Sequence, residues 1–386
     1  MDQKDNAAKG IINVIDEFDY STQNEAYNEN FREWRRRKGN IYAFSFHKNQ
    51  RERIYIDGRG FVEKSCENAE KRTLFNIFQT LGYATLMYIV VENVLSKLII
   101  YLLEFLGVDI HTSFSSSTIY GGCHEIAIAL IMTDVIKLIL PIIYLHYKFR
   151  VPKNVEIMGN MNNPQALVGT MATAFIVSVI SSIPSTYSSE ANEAILFFGM
   201  DQTDISIWTQ NEFLVYTIFD VIIIPIISQI LYCGAAFAVL RQFGDVFAML
   251  VTALIAAVMT QDFGVMPVIF VITLVGCCGM LATGSLFTPI AVNIIFKMYR
   301  MTLALIETDT SDNMPIIRSL FMAVIVLIGT IGLVYFRFYL KKNKIRLSHY
   351  KSELSFRNRF IHSVKIFPFS AVLLICIIYA ATEVML

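Results

Sequence analysis

Charge is scarce in this sequence. Asp, Glu, Lys and Arg make up 17% of its 386 residues, while 55% are apolar. Soluble domains carry about 25% charged residues, and a soluble chain this long, folded as two or three domains, does not keep so large an apolar excess. The scarcity is also local. Of 32 Lys and Arg, 14 precede residue 74 and 8 follow residue 340, with none at 154–240 and none at 242–296. The net charge of zero hides this asymmetry and leaves no electrostatic footprint for nucleic acid. Histidine is missing from the middle of the chain: none of the six lies between residues 147 and 348. The six cysteines (Cys66, Cys123, Cys233, Cys277, Cys278, Cys376) contain no C-x-x-C, which argues against a zinc ribbon or a disulfide framework. Most fall in apolar stretches, where a thiol acts as a small hydrophobe. No metal or other cofactor is expected. The polar first seventy residues lack the short apolar core of a signal peptide. The lack of N-x-S/T sequons is in keeping with a bacterial plasma membrane.

What the chain does have is long apolar runs. A spanning helix needs about 20 apolar residues to cross roughly 30 Å of hydrocarbon. Nine candidates satisfy that rule: about 74–106, 126–147, 165–184, 213–240, 246–261, 265–282, 286–306, 316–340 and 366–385. The expected fold is therefore all-α, a polytopic transmembrane helical bundle of eight or nine spans with a small cytosolic N-terminal segment. Its units would be 1–73 (cytosolic), 74–210, 211–306 and 307–386. With the N-terminus inside, the exterior segments 107–125, 185–212, 262–264 and 307–315 contain no Lys or Arg. The interior ones carry Lys148, Arg150, Lys153, Arg241 and the basic run after residue 340, as the positive-inside rule requires. Arg300 and Arg318 are the exceptions. Ser113–Ser117 and Ser182–Glu190 read as exterior loops. This predicts N-in and C-out. The first run is too long for a simple span, so it is either one tilted, projecting helix or a span followed by an interfacial piece.

In the N-terminal segment, Ile41–Phe46 and Arg53–Ile56 alternate like short strands and read as a hairpin, closed by Asp57 and Gly58. Tyr27–Lys38 reads as a helix with Phe31 and Trp34 on one side and Arg35–Lys38 crowding it. Two roles fit: an anchor resting on anionic headgroups, or a docking surface for a cytosolic partner.

Ionisable groups at bilayer depth are expensive and are functional candidates by default. Asp134 and Lys137, three apart on a helix, can pair locally. Glu92 and Lys97 are five apart and would find partners on neighbouring helices. Asp220 has no basic residue near it in sequence, which leaves Lys297 or Arg300 as candidate partners.

One stretch carries a recognisable pattern. It reads Pro225-Ile-Ile-Ser228-Gln229-Ile-Leu-Tyr232-Cys233-Gly234, then Leu240-Arg-Gln-Phe-Gly244, Ala256-Ala-Val-Met-Thr260 and Gly284-Ser-Leu-Phe-Thr-Pro289-Ile-Ala-Val-Asn293-Ile-Ile-Phe-Lys297. From Pro225 to Lys297 it resembles the CPBP family, the CAAX-protease and bacteriocin-processing (Abi) intramembrane peptidases. Their motifs run P-x-x-E-E-x-x-F-R-G, L-R-x-x-F-G, F-x-x-x-H and G-S-L-x-x-P-I-x-x-H-x-x-x-N. The framework is kept at Pro225, Tyr232, Gly234, Leu240–Gly244 and Gly284–Ile290. The catalytic positions are not. Ser228 and Gln229 stand where the family has its Glu pair, Cys233 replaces the arginine, Thr260 and Asn293 the histidines, and Lys297 the asparagine.

The resemblance thus implies a degenerate member. Gln229 has the shape of glutamate but no basic oxygen, and losing a general base typically costs about 10²–10⁴ in rate. Losing oxyanion donors costs on the order of 10²–10³ more. Ser228, Gln229, Thr260, Asn293 and Lys297 are expected to point from three helices toward one place. There they would either knit the bundle together or form a pocket that grips a segment without cutting it. The reading is a pseudoprotease, not an enzyme, acting in the bilayer as a scaffold or adaptor for another membrane or envelope protein. The alternatives are an active atypical peptidase, or a transport or bacteriocin-immunity protein built on Asp134, Lys137 and Asp220.

Overall fold

The computed structural model describes residues 12–13, 23–44, 47–48, 53–56, 60–63, 66–112, 119–159, 161–187, 214–261, 265–307, 313–342 and 354–385. The fold is an all-α bundle in which seven helices are long and apolar enough to cross a membrane, or eight if a bent pair near the C-terminus counts as one span. The helices are α1 (Glu25–Arg36), α2 (Glu67–Phe105), α3 (Cys123–Phe149), the short α4 (Lys153–Glu156), α5 (Pro164–Tyr187) and α6 (Leu214–Phe243). They continue with α7 (Asp245–Val258), α8 (Met266–Thr283), α9 (Phe287–Glu307), α10 (Met314–Lys342), α11 (Phe356–Val364) and α12 (Phe367–Met385). Three two-stranded antiparallel ribbons accompany them, β1–β2 (Ile12–Asn13 with His47–Lys48), β3–β4 (Arg53–Ile56 with Gly60–Glu63) and β5–β6 (Ile110–Thr112 with Ile119–Gly121).

Several sequence expectations change here. The run at 246–261 forms only the 14-residue α7, about 21 Å long at 1.5 Å per residue and short of the bilayer core. It is a core helix, buried along most of its length. The first run is one continuous 39-residue helix, with a π-helical turn at Val91–Leu95. The last run is preceded by α11, which meets it at a 76° bend. The hairpin has a different register: Arg53–Ile56 pairs with Gly60–Glu63, Ile56 opposite Gly60, while Ile41–Ala43 is turn and bend. The predicted turn residues Asp57 and Gly58 and the predicted loop Ser113–Ser117 lie outside the described residues. The predicted loop Ser182–Glu190 is helix over 182–187, the last turns of α5, because the apolar face of that helix runs on past the expected span end; 188–190 lie outside the described residues.

Helix α1 starts at an Asn24 cap, whose side chain accepts from the Tyr27 N–H at 2.8 Å. Its aromatic side buries Tyr27, Phe31 and Trp34 against the bundle, while Arg36, Arg37 and Lys38 are exposed. The Trp34 indole donates to the Phe149 carbonyl at 2.8 Å, and the Phe44 N–H donates to Gln242 Oε1 at 2.7 Å. The segment therefore caps the ends of α3 and α6, and its apolar face meets protein instead of headgroups. Beneath it Phe78, Phe243, Phe247 and Phe369 interlock, Phe78 and Phe369 edge-to-face at 5.2 Å. Small residues allow the helices to close up. A Cβ at Gly279 would lie 2.4 Å from Thr170 and 2.6 Å from Thr288, and one at Gly332 would lie 2.6 Å from Ala172. Three interhelical contacts are formed this way: α8 with α5, α8 with α9, and α10 with α5.

Candidate functional site

The framework residues of the motif region have clear structural work. Gly244 (φ 104°, ψ 145°) makes the turn between α6 and α7, and Gly284 (φ 76°) ends α8 in the left-handed region; both conformations favour glycine. Ser285 follows, its hydroxyl donating to the Met158 carbonyl at 3.2 Å and accepting from the Phe287 N–H at 3.3 Å. Gln242 in the turn donates to the Tyr42 carbonyl at 2.9 Å. At Gly234 an added Cβ would come 3.0 Å from the Glu156 carbonyl oxygen, so α4 packs directly on α6 there.

The positions that would carry chemistry are closed on themselves. Ser228 donates to the Pro225 carbonyl at 3.1 Å within α6, and Thr260, in the turn after α7, donates to the Ala257 carbonyl at 2.6 Å. The Cys233 thiol donates to Gln229 Oε1 at 3.1 Å and lies 3.6 Å from Cys277 Sγ on α8. Ser228, Gln229, Cys233 and Cys277 are all buried. Asn293 is half-buried on α9. The Lys297 ammonium reaches the Asp220 carboxylate and also donates to the Asp220 carbonyl at 3.0 Å. One of the two expected partners of Asp220, Lys297, is thus found. Among the described residues no hydrogen bond joins Gln229, Thr260 and Asn293; Ser228, Gln229 and Thr260 bond locally, and Lys297 bonds to Asp220. No group of three or more His, Cys, Asp or Glu able to hold a metal ion occurs among the described residues.

A larger polar assembly lies elsewhere in the spans. Lys137 pairs with Asp134 at 2.7 Å, as their spacing predicts, and also with Glu92 of α2 at 2.9 Å. The Gln261 carboxamide donates to Glu92 Oε2 at 3.0 Å and accepts from Asn93 at 2.8 Å. Tyr216 approaches Asp134 at 3.5 Å, and the Tyr88 ring centroid is 5.6 Å from the Lys137 ammonium. Gln261 holds φ 56°, a conformation non-glycine residues seldom adopt, and its two side-chain hydrogen bonds hold it there. Sequence reasoning found Glu92, Asp134 and Lys137 but not Gln261, because an uncharged amide at a helix end gives no signal of its own. Asp220, Glu92 and Cys233 all sit in π-helical turns (Phe219–Ile223, Val91–Leu95 and Ile230–Ala236). Such turns are rare and recur at functional positions.

At the α1 end of the bundle, Arg359 of α11 is buried and bridges Glu70 at 2.8 Å and the Phe243 carbonyl at 2.7 Å. Arg241 pairs with Asp245 at 2.8 Å. Glu156 accepts from His146 Nδ1 at 2.9 Å, and burial raises its pKa against the lowering effect of that hydrogen bond. Between α2 and α3 an open groove of ≈ 480 Å³ faces outward, walled by Met87 and Val90 on one side and Leu140 on the other, with Tyr83 and Tyr144 at one end.

Fold and composition define an all-α, multi-pass membrane protein. Comparison with protein-family models, with curated proteins and with solved structures finds no match.

Proposed function

We propose that this chain is a non-catalytic membrane scaffold built on an intramembrane-peptidase-like frame, which holds another membrane or envelope protein. The observation that carries the reading is the state of Gln229. It stands where related motifs carry a glutamate, has no basic oxygen, and is tied to Cys233 inside a closed core. Ser228 and Thr260, which occupy further catalytic positions, are bonded to backbone carbonyls three residues back. A water brought there meets no base to accept its proton. The pairing of Asp220 with Lys297 and of Asp134 with Lys137 supports a bracing role for the intramembrane charges over a transport path. In this reading the protein lies in the plasma membrane with its N-terminus inside, so that Arg36, Arg37, Lys38, Lys148 and Arg150 face the cytosol in line with the positive-inside rule.

The test is turnover by the purified chain in liposomes, with prenylated peptides and leader peptides as substrates. None is expected from the parent or from Gln229→Glu, since the helpers at Thr260 and Asn293 are still absent. A product peptide whose release stops with Gln229→Ala or Cys233→Ala would overturn the reading.

A further inference from the structure

The groove between α2 and α3 lies within two spans, so whatever fills it comes from the bilayer or from a neighbouring helix. Its setting selects among these. On α3, Lys137, Leu140, Tyr144 and Lys148 recur every three or four residues and form one stripe. Leu140 and Tyr144 line the groove itself. At its mouth the Lys148 ammonium sits 5.8 Å from the Tyr144 ring centroid, and Arg150 lies over the Tyr147 ring at the same distance. Arg37 joins them, donating to the Arg150 carbonyl at 3.3 Å. All three cations are exposed. None of the three forms an ion pair with a carboxylate among the described residues.

This end of the groove is also the headgroup level. Thr80, one turn before Tyr83, contacts the Tyr42 hydroxyl of the capping segment at 3.3 Å. Tyr42 in turn meets the Phe149 ring edge-on at 5.0 Å, where α3 leaves the bilayer. Tyr83 and Tyr144 therefore sit at the membrane–water boundary, where amphipathic rings are favoured. The groove runs inward from there along apolar Met87, Val90 and Leu140. An apolar groove that starts at the boundary, with cations near its mouth, is complementary in shape and charge to an anionic amphiphile.

We propose that this groove is a binding site for an anionic phospholipid, one acyl chain lying between α2 and α3 and the headgroup phosphate held by Lys148, Arg150 and Arg37. A partner helix would fill the apolar part but leave the cations idle. A neutral lipid would fill it without using their charge.

The test uses the full chain purified in detergent, with phosphatidylglycerol and phosphatidylcholine of identical acyl chains as probes. Retained lipid is read by native mass spectrometry. Phosphatidylglycerol should be retained at least about 25-fold over phosphatidylcholine, about fivefold for each of Lys148 and Arg150. Lys148→Ala and Arg150→Asn should each cut that preference about fivefold, equivalent to about 1 kcal/mol per cation. Asn is chosen because Arg150 has φ 50°, which Asn tolerates. Val90→Trp, on an exposed position, should reduce retention of both lipids by filling the channel. Equal retention of the two lipids would overturn the proposal. So would a preference that survives the double cation variant, or full retention in Val90→Trp. Lys148 and Arg150 are surface residues, so loss of fold will not obscure the result; gel filtration confirms it.

Discussion

Replacing Lys137 with methionine tests the largest polar assembly in the spans. The ammonium lies 2.9 Å from Glu92 and 2.7 Å from Asp134. At an effective dielectric near 20 each contact has a Coulomb attraction of about 5–6 kcal/mol before desolvation is subtracted. Methionine fills the space but leaves two carboxylates close together with no cation. Removing one partner of a buried ion pair costs about 3–5 kcal/mol. The Glu92 side chain is 32% exposed against 12% for Asp134, which places the expectation near the lower end, about 3 kcal/mol. For a chain of 386 residues that corresponds to a fall of roughly 4 °C in thermal midpoint. Thermal unfolding in detergent, followed by gel filtration of the soluble fraction, reads it. Adding Glu92→Gln and Asp134→Asn to Lys137→Met should restore most of the loss, because the unpaired charges are then gone. A Lys137→Met protein that unfolds at the parent midpoint refutes the reasoning. A triple variant no better than the single one refutes it too, since the cost would then lie in packing instead of charge.

Gly82→Ala should destabilise by about 1–3 kcal/mol. The new Cβ would meet the Phe369 nitrogen at 2.6 Å and the Pro368 carbonyl carbon at 2.7 Å, backbone atoms that cannot swing aside; an unchanged midpoint would mean that α2 and α12 are not so close. Glu156→Gln should raise the midpoint at neutral pH. Burial raises the Glu156 pKa in the fold, so its contribution is fully present below the unfolded value near 4.5 and is lost as pH rises through the folded one. The advantage of the variant should therefore grow from pH 4 to pH 7, and a gap that shrinks over that range would contradict it.

Hydropathy and charge placement, both local properties, are enough to read the class of fold: long apolar runs, and basic residues gathered at the two ends of the chain. The Asp134–Lys137 pair is legible for the same reason, since three residues on a helix are neighbours whatever the rest does. Packing decided what spacing cannot. Glu92 and Gln261 are 169 residues apart and Asp220 and Lys297 are 77 apart; nothing in the intervening sequence says that these side chains will meet. The apolar run at 246–261 illustrates the limit. A helix buried in protein and one bathed in lipid need the same apolar residues, and only its 14-residue length and its neighbours make α7 part of the core. The motif region shows the same division. Its glycines announce the turns at Gly244 and Gly284 and the close approach at Gly234 that the backbone requires. Whether Gln229, Thr260 and Asn293 converge depends on the rotation and depth of separate helices, and in the structure Ser228 and Thr260 donate to the Pro225 and Ala257 carbonyls. Backbone groups satisfy themselves within a helix, so a sequence can specify each helix alone; side-chain partners across helices exist only once the bundle is assembled.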